Sequence, residues 1–318
     1  MKTLKLRPFL KDTIWGGQRL KELYDGREMD NIAEAWLFSC HEKGPSRVVG
    51  GEFDGKTMRE VLAGAGTDVL GTGCPAGDFP ILIKFIDAED DLSIQVHPDN
   101  EYARINENEL GKTECWYILD AAPGAELLFG MAKELTGEQF MKTVEEKTIL
   151  DSVRHVKVKK GDFAFIPAGT LHAIGKGILL AEVQQSSDTT YRIFDYDRLQ
   201  PDGTLRPLDV KKAADVLDLR PSHALLRPQG EENVFDGYTK TLLTECEYFT
   251  LYRVSVTAAY ADAADGASFV SLVFTDGEGV YADADGEIPV KKGDSLFVPA
   301  GKGAFTVSGR VEFLRTNI

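Results

Sequence analysis

Gln95 and His97 stand two residues apart in Leu92-Ser-Ile-Gln-Val-His97, a run with the alternation of a β-strand, and residues i and i+2 of a strand project from one face. Pro98 ends that run. Glu114 lies in a second strand-like run, Gly111 to Leu119, and His172 follows the turn Pro167-Ala-Gly169. Two imidazoles, one carboxylate and one amide oxygen form a donor set for a borderline divalent ion. A further position left for water or a substrate oxygen would make the site catalytic rather than structural. Zinc, one ion per chain, is the expected metal. A single strand histidine is more often a satisfied core residue, so the set carries this reading and no member does alone. His41, His155 and His223 have no such companions and read as surface or hydrogen-bonded residues. Lys159-Lys160 and Lys291-Lys292 read as solvated strand ends.

The elements that must position these residues are mainly strands. Short runs rich in Val, Ile, Phe and Tyr, such as Glu126 to Gly130 and Val270 to Thr275, alternate with Gly, Pro, Asp and Asn turns. Helical spacing is confined to Gln18–Tyr24, Thr57–Ala63, Thr136–Leu150 and Leu208–Leu217, which predicts peripheral helices. An internal repeat organises the rest. Val158-Lys-Lys-Gly-Asp162 recurs as Val290-Lys-Lys-Gly-Asp294, and Pro167-Ala-Gly169 recurs at the same spacing as Pro299-Ala-Gly301. In each copy a Gly turn leads into a short apolar strand, Phe163 to Ile166 or Ser295 to Val298. The Pro-Ala-Gly turn then reverses the chain, which predicts a hairpin at a barrel rim.

The spacing from Gly161 through Pro167 and Gly169 to His172 resembles the second motif of the cupin superfamily, whose jelly-roll barrels hold a metal on inward-facing side chains. The expected architecture is mainly β, two cupin-type jelly-roll β-barrels with a few peripheral helices. Residues 1–235 would carry the metal site and residues 236–318 a degenerate module. Ala304 occupies the position equivalent to His172 and offers a metal nothing.

Composition narrows the function classes. Of 318 residues, 43% are hydrophobic and 27% charged, as in ordinary globular proteins. The opening residues scatter charges among apolar side chains, so neither a signal peptide nor a membrane span is expected. Four widely separated cysteines suit reduced thiols in the cytoplasm. A net charge of -15 repels a nucleic-acid backbone. A small anionic substrate would need a locally basic pocket.

Gln95-Val-His97-Pro98, Gly111-Lys112-Thr113-Glu114 and the segment ending in His172 together resemble the signature of type I mannose-6-phosphate isomerases, and their order matches too. Glu182, Ser187-Asp188, Thr190 and Arg192 are similar to the segment that supplies the family's catalytic arginine. Trp15-Gly16-Gly17 and Glu34-Ala-Trp36 are similar to its amino-terminal active-site wall. The resemblance implies Gln95, His97, Glu114 and His172 as metal ligands and Arg192 as the essential arginine. It implies Ser93 and Lys112 as phosphate contacts, with Lys84 a third and Trp15 beside the substrate. Its base would be Glu182, with Lys112 or a metal-bound hydroxide as alternatives. The connection from Glu114 to His172 is too short for the helical domain of long family members, so the chain resembles the short bacterial form. A sugar phosphate is then the expected partner. Another metal-dependent cupin enzyme, such as an iron dioxygenase, and a non-catalytic sugar-binding cupin are the competing readings.

Overall fold

A computed structural model of the chain describes residues 1–26, 28–75, 79–224 and 226–318. It is mainly β, with short helices at the periphery. In the first half a six-stranded sheet runs in the order Phe163–Ile166, Glu114–Ala121, Ile178–Gln185, Ile81–Ala88, Glu34–Phe38, Phe9–Lys11. A five-stranded sheet runs Tyr191–Phe194, Ile94–Val96, His172–Ile174, Glu126–Met131, Val153–Lys157. The two face each other as a jelly roll without hydrogen-bonding into a closed cylinder. Trp116, Ile118, Ile166 and Leu180 of the larger sheet pack against Leu127, Phe129 and Ile174 of the smaller.

The central strands Ile81–Ala88 and Ile178–Gln185 are buried along their whole length because both faces are covered. Ile81, Ile83 and Phe85 point away from the five-stranded sheet. They join Phe249, Phe269, Phe297 and Leu314 of the C-terminal half in one core. Phe38, Phe79, Phe269 and Phe297 cluster there at centroid separations of 5.3 to 6.0 Å. The alternate residues Lys84 and Ile86 point into the jelly roll, which places a lysine inside a barrel wall. A third sheet of ten strands forms the C-terminal module, and the chain's first strand, Leu4–Arg7, is paired into it against Ser295–Val298.

Two expectations need correction. The strands flanking Pro167-Ala-Gly169 do not form a hairpin: Phe163–Ile166 pairs with Glu114–Ala121, whereas His172–Ile174 pairs with Ile94–Val96 and Glu126–Met131. The turn carries the chain from one sheet to the other. Gly169, at φ +83°, makes this possible by donating its N–H to the His97 carbonyl at 2.9 Å. In the second copy the flanking strands Ser295–Val298 and Gly303–Asn317 stay in one sheet but do not pair either, because Val270–Asp283 lies between them. The second correction concerns Ala304, which is exposed, while Phe305 beside it is buried and fills the interior. Val270 faces Val298 there as Glu114 faces Ile166 in the first copy, so the carboxylate position is apolar as well.

The helices expected from sequence occur as Arg19–Leu23, Met58–Ala65, Gly137–Glu145 and Val210–Val216. Thr57 with Glu60 and Thr136 with Gln139 form capping boxes. The third helix stops at Glu145, short of Leu150, and Lys147 takes a left-handed φ of +58°. A further helix, Asn100–Asn106, begins where the Asp99 side chain accepts from Tyr102 N at 2.9 Å.

Candidate active site

Three adjacent strands of the smaller sheet bring Arg192, Gln95 and His172 into one cross-strand row. Arg192 is paired with Gln95, and Gln95 with His172, so all three side chains share a face. The larger sheet answers with a second row, in which Glu182 sits between Trp116 and Lys84, and Lys84 faces Trp36. Glu114 lies two residues before Trp116 on the same face.

His97, Glu114 and His172 present ligand atoms that all lie within 4.8 Å of one another, and each residue is buried. The Nδ1 atoms of both imidazoles lie 2.9 Å from backbone carbonyls, His97 from Thr189 O and His172 from Thr170 O. A carbonyl can only accept, so both protons sit on Nδ1 and both Nε2 atoms carry lone pairs. Those lone pairs face each other across 3.1 Å. Burial first, and the Lys112 charge with it, holds His97 neutral far below the usual imidazole range, and burial brings His172 down to about 4. Neither oxygen of Glu114 receives a directed hydrogen bond, although Oε1 lies 3.3 Å from His172 Nε2 and Oε2 3.5 Å from His97 Nε2. Two lone pairs and an orphaned buried carboxylate aimed at one point fit a cation. The Lys112 ammonium, 3.1 Å from His97 Nε2 and 2.9 Å from Glu114 Oε2, meets part of that demand. Gln95 stands beside them, its amide nitrogen 3.3 Å from His172 Nε2.

Lys84 lies 3.3 Å from Glu34 and 3.4 Å from Glu182, almost fully buried. Burial opposes its charge, but the two carboxylates hold its pKa above the ordinary lysine value. Glu34 is drawn down to about 2 because Lys84, Lys11 and the Trp36 indole outweigh the cost of burial. Glu182 is likewise held down against burial by Lys112 and Lys84, with Trp116 Nε1 donating to its Oε2 at 2.9 Å. Glu114 is pushed up to about 8 by burial and then by Glu182, which outweigh the pull of Lys112 and Lys84. At neutral pH Glu114 is thus largely protonated, and Glu34 and Glu182 balance Lys84 and Lys112. A divalent cation that ionises Glu114 on binding would leave the cluster one charge positive, the sign an anionic substrate needs.

The other expected site residues fall on both sides of this cluster. Arg192 Nε donates to Ser93 Oγ at 3.3 Å, so these two stand together. Trp15 packs in the apolar core between the sheets, with no hydrogen bond to the polar groups. His155 pairs with Glu126 on the surface, and His41 packs edge-on against Trp36. Asp195, Arg198 and Arg206, which cluster beyond Arg192, carry no pattern in the sequence that singles them out. No helix among the described residues is long and apolar enough to cross a membrane.

A family profile described as the phosphomannose isomerase type I catalytic domain matches residues 3–140, and one described as the mannose-6-phosphate isomerase cupin domain matches residues 238–318. The chain is 39% identical over 317 residues to the mannose-6-phosphate isomerase ManA of Bacillus subtilis, spanning 99% of this chain and 98% of that protein. The crystal structure of the mannose 6-phosphate isomerase from Bacillus subtilis matches with a TM-score of 0.92 at 35% identity, covering 100% of both chains. A structure described as mannose 6-phosphate isomerase, holo and zinc bound, shares the fold at a TM-score of 0.79 and 18% identity, over 99% of each chain. With identity this high along nearly its whole length, the chain belongs to the type I mannose-6-phosphate isomerase family.

Proposed function

We propose that the protein interconverts mannose 6-phosphate and fructose 6-phosphate through an enediol, with one zinc ion held by Gln95, His97, Glu114 and His172. The observation that carries the metal reading is the pair of Nε2 lone pairs locked face to face at 3.1 Å beside an orphaned carboxylate. When bound, the ion would polarise a substrate oxygen and stabilise the charge that develops on it as the carbon proton leaves. Two imidazoles and an amide leave it with most of its charge, and the donor set suits zinc.

Glu182 is the proposed base. It is ionised, Trp116 fixes one oxygen, and Oε1 is buried without a directed hydrogen bond and so able to take a proton. Its lowered pKa reduces the driving force for that transfer, and Lys84 at 3.4 Å would supply compensating charge to the enediolate. Lys112, against His97 and Glu114, would move a proton at the sugar oxygens. Arg192 and Ser93 bound the opposite end, where the substrate's phosphate would lie. In this division residues 1–235 hold the chemistry, and residues 236–318 supply a filled module that buries the outer face of the larger sheet.

A coupled assay in both directions, with and without a chelator, tests reaction and metal together. Turnover abolished by chelation and restored by zinc is expected. Protein that binds iron, consumes oxygen and leaves mannose 6-phosphate untouched would end this reading.

A further inference from the structure

Arg192 does not stand alone at its end of the site. Its Nη1 donates to Pro207 O at 3.0 Å, and Asp209 N donates to Arg192 O at 2.7 Å, so the segment beginning at Asp195 folds back against it. That segment is a small hairpin, bridged at Leu199 and Leu205, with an arginine at each foot. Both arginines converge on Asp195, which is 5% exposed. Arg206 donates from Nε to Oδ2 at 2.7 Å and from Nη2 to Oδ1, and Arg198 donates from Nη2 to Oδ1 at 2.7 Å. Arg198 is further occupied by the Asp91 carbonyl and by Asp90 at 3.3 Å. Tyr196 and Asp197 between them hold left-handed φ values of +57° and +53°. Two successive strained residues persist where the surroundings dictate them, often at functional sites.

Resting on the reading of Arg192 and Ser93 given above, we propose that Arg206, aimed by Asp195, is a second cation for the substrate's phosphate, completing a seat formed with Arg192 and Ser93. Two guanidinium groups share one buried carboxylate here with Arg192 close by, in a chain whose net charge is -15. Among the described residues no hydrogen bond uses Arg192 Nη2 or Arg206 Nη1, so each offers a donor to a ligand. After burial, Arg206 is the strongest influence lowering the Arg192 pKa, which reports like charges held close. A dianionic phosphate between them relieves that repulsion and accepts from both forks. Asp195 touches no substrate in this arrangement and acts as a positioning residue.

The test is calorimetric binding of inorganic phosphate to the metal-loaded protein, with KM and kcat for mannose 6-phosphate. Arg206→Gln should weaken phosphate binding and raise KM at least tenfold each, with kcat within about threefold and the thermal midpoint recorded as a control. Arg206→Lys, which keeps charge but not the fork, should raise both by about three- to tenfold, and Asp195→Asn should behave like it. Unchanged phosphate affinity in Arg206→Gln would overturn the proposal, as would a loss confined to kcat. If Arg206→Gln does not fold, unchanged affinity in Arg206→Lys is decisive in the same way. Wild-type protein that binds phosphate through Arg206 but does not turn over mannose 6-phosphate would refute the functional reading and leave this one standing.

Discussion

Replacing Lys84 by Met removes the only ammonium that lies between Glu34 and Glu182 among the described residues, while leaving a side chain that fits its stem. At 3.3 and 3.4 Å each contact is worth about 5 kcal/mol at an effective dielectric of about 20. The desolvation of three buried ions offsets much of this. Breaking such a network by deleting one partner costs about 3–5 kcal/mol, because the remaining charges stay buried. At roughly 2.1 cal/mol/K per residue, the unfolding entropy of 318 residues converts that into a fall of about 5–7 °C in the thermal midpoint. The loss should depend on pH with a definite sign. In the parent Glu34 titrates near 2, below its unfolded value, so its contribution is intact at neutral pH and is lost only as pH falls from about 4.5 toward 2. Without Lys84 the buried carboxylates titrate above their unfolded values, so the variant gains stability as pH falls. The deficit should therefore shrink between pH 7 and pH 5, where the Glu34 contribution in the parent is flat. Adding Glu34→Gln to Lys84→Met should recover at least 1 kcal/mol, since one of the two stranded charges is gone. Urea unfolding of the parent, Lys84→Met and the double variant at both pH values is the measurement. A Lys84→Met protein within about 0.5 kcal/mol of the parent, or a deficit that grows on acidification, would refute the network argument.

His97→Ala and His172→Ala should each weaken metal binding by about 100- to 1000-fold and lose turnover in parallel, read by metal analysis after dialysis; full metal in both would remove them from the ligand set. Ala304→His should add no second metal, because residue 304 is exposed on its strand and Phe305 fills the interior. One extra equivalent of bound zinc would contradict that geometry. Arg192→Ala should lower kcat/KM at least a hundredfold with metal content unchanged, and Arg192→Lys should recover only part of the loss, since its fork spans Ser93 and the Pro207 carbonyl. Near-normal kinetics in Arg192→Ala would end its assignment.

The parts of this site legible in the sequence are those set by local periodicity. Strand alternation alone put Gln95 and His97 on one face, and the repeat located the turn before His172. What the chain does after that turn was not legible, because Pro-Ala-Gly reverses direction equally well within one sheet or between two. The choice is made by Gly169 bonding to His97 O, a contact across 72 positions. Ala304 shows the same limit, since a motif match aligns residues by count while the fold aligns them by face, and one step changes the face. Lys84 shows it most sharply. An isolated lysine in Ile81-Leu-Ile-Lys-Phe-Ile reads as an error in an apolar strand, and nothing within the run says what neutralises it. Glu34 and Glu182 reach it from neighbouring strands 50 and 98 positions away, through register fixed by the apolar residues on the opposite face. The packing of Ile83 and Phe85 against the C-terminal core thus sets where the charge of Lys84 stands inside the jelly roll. By this route the C-terminal module reaches the electrostatics of the site through the packing of a shared strand.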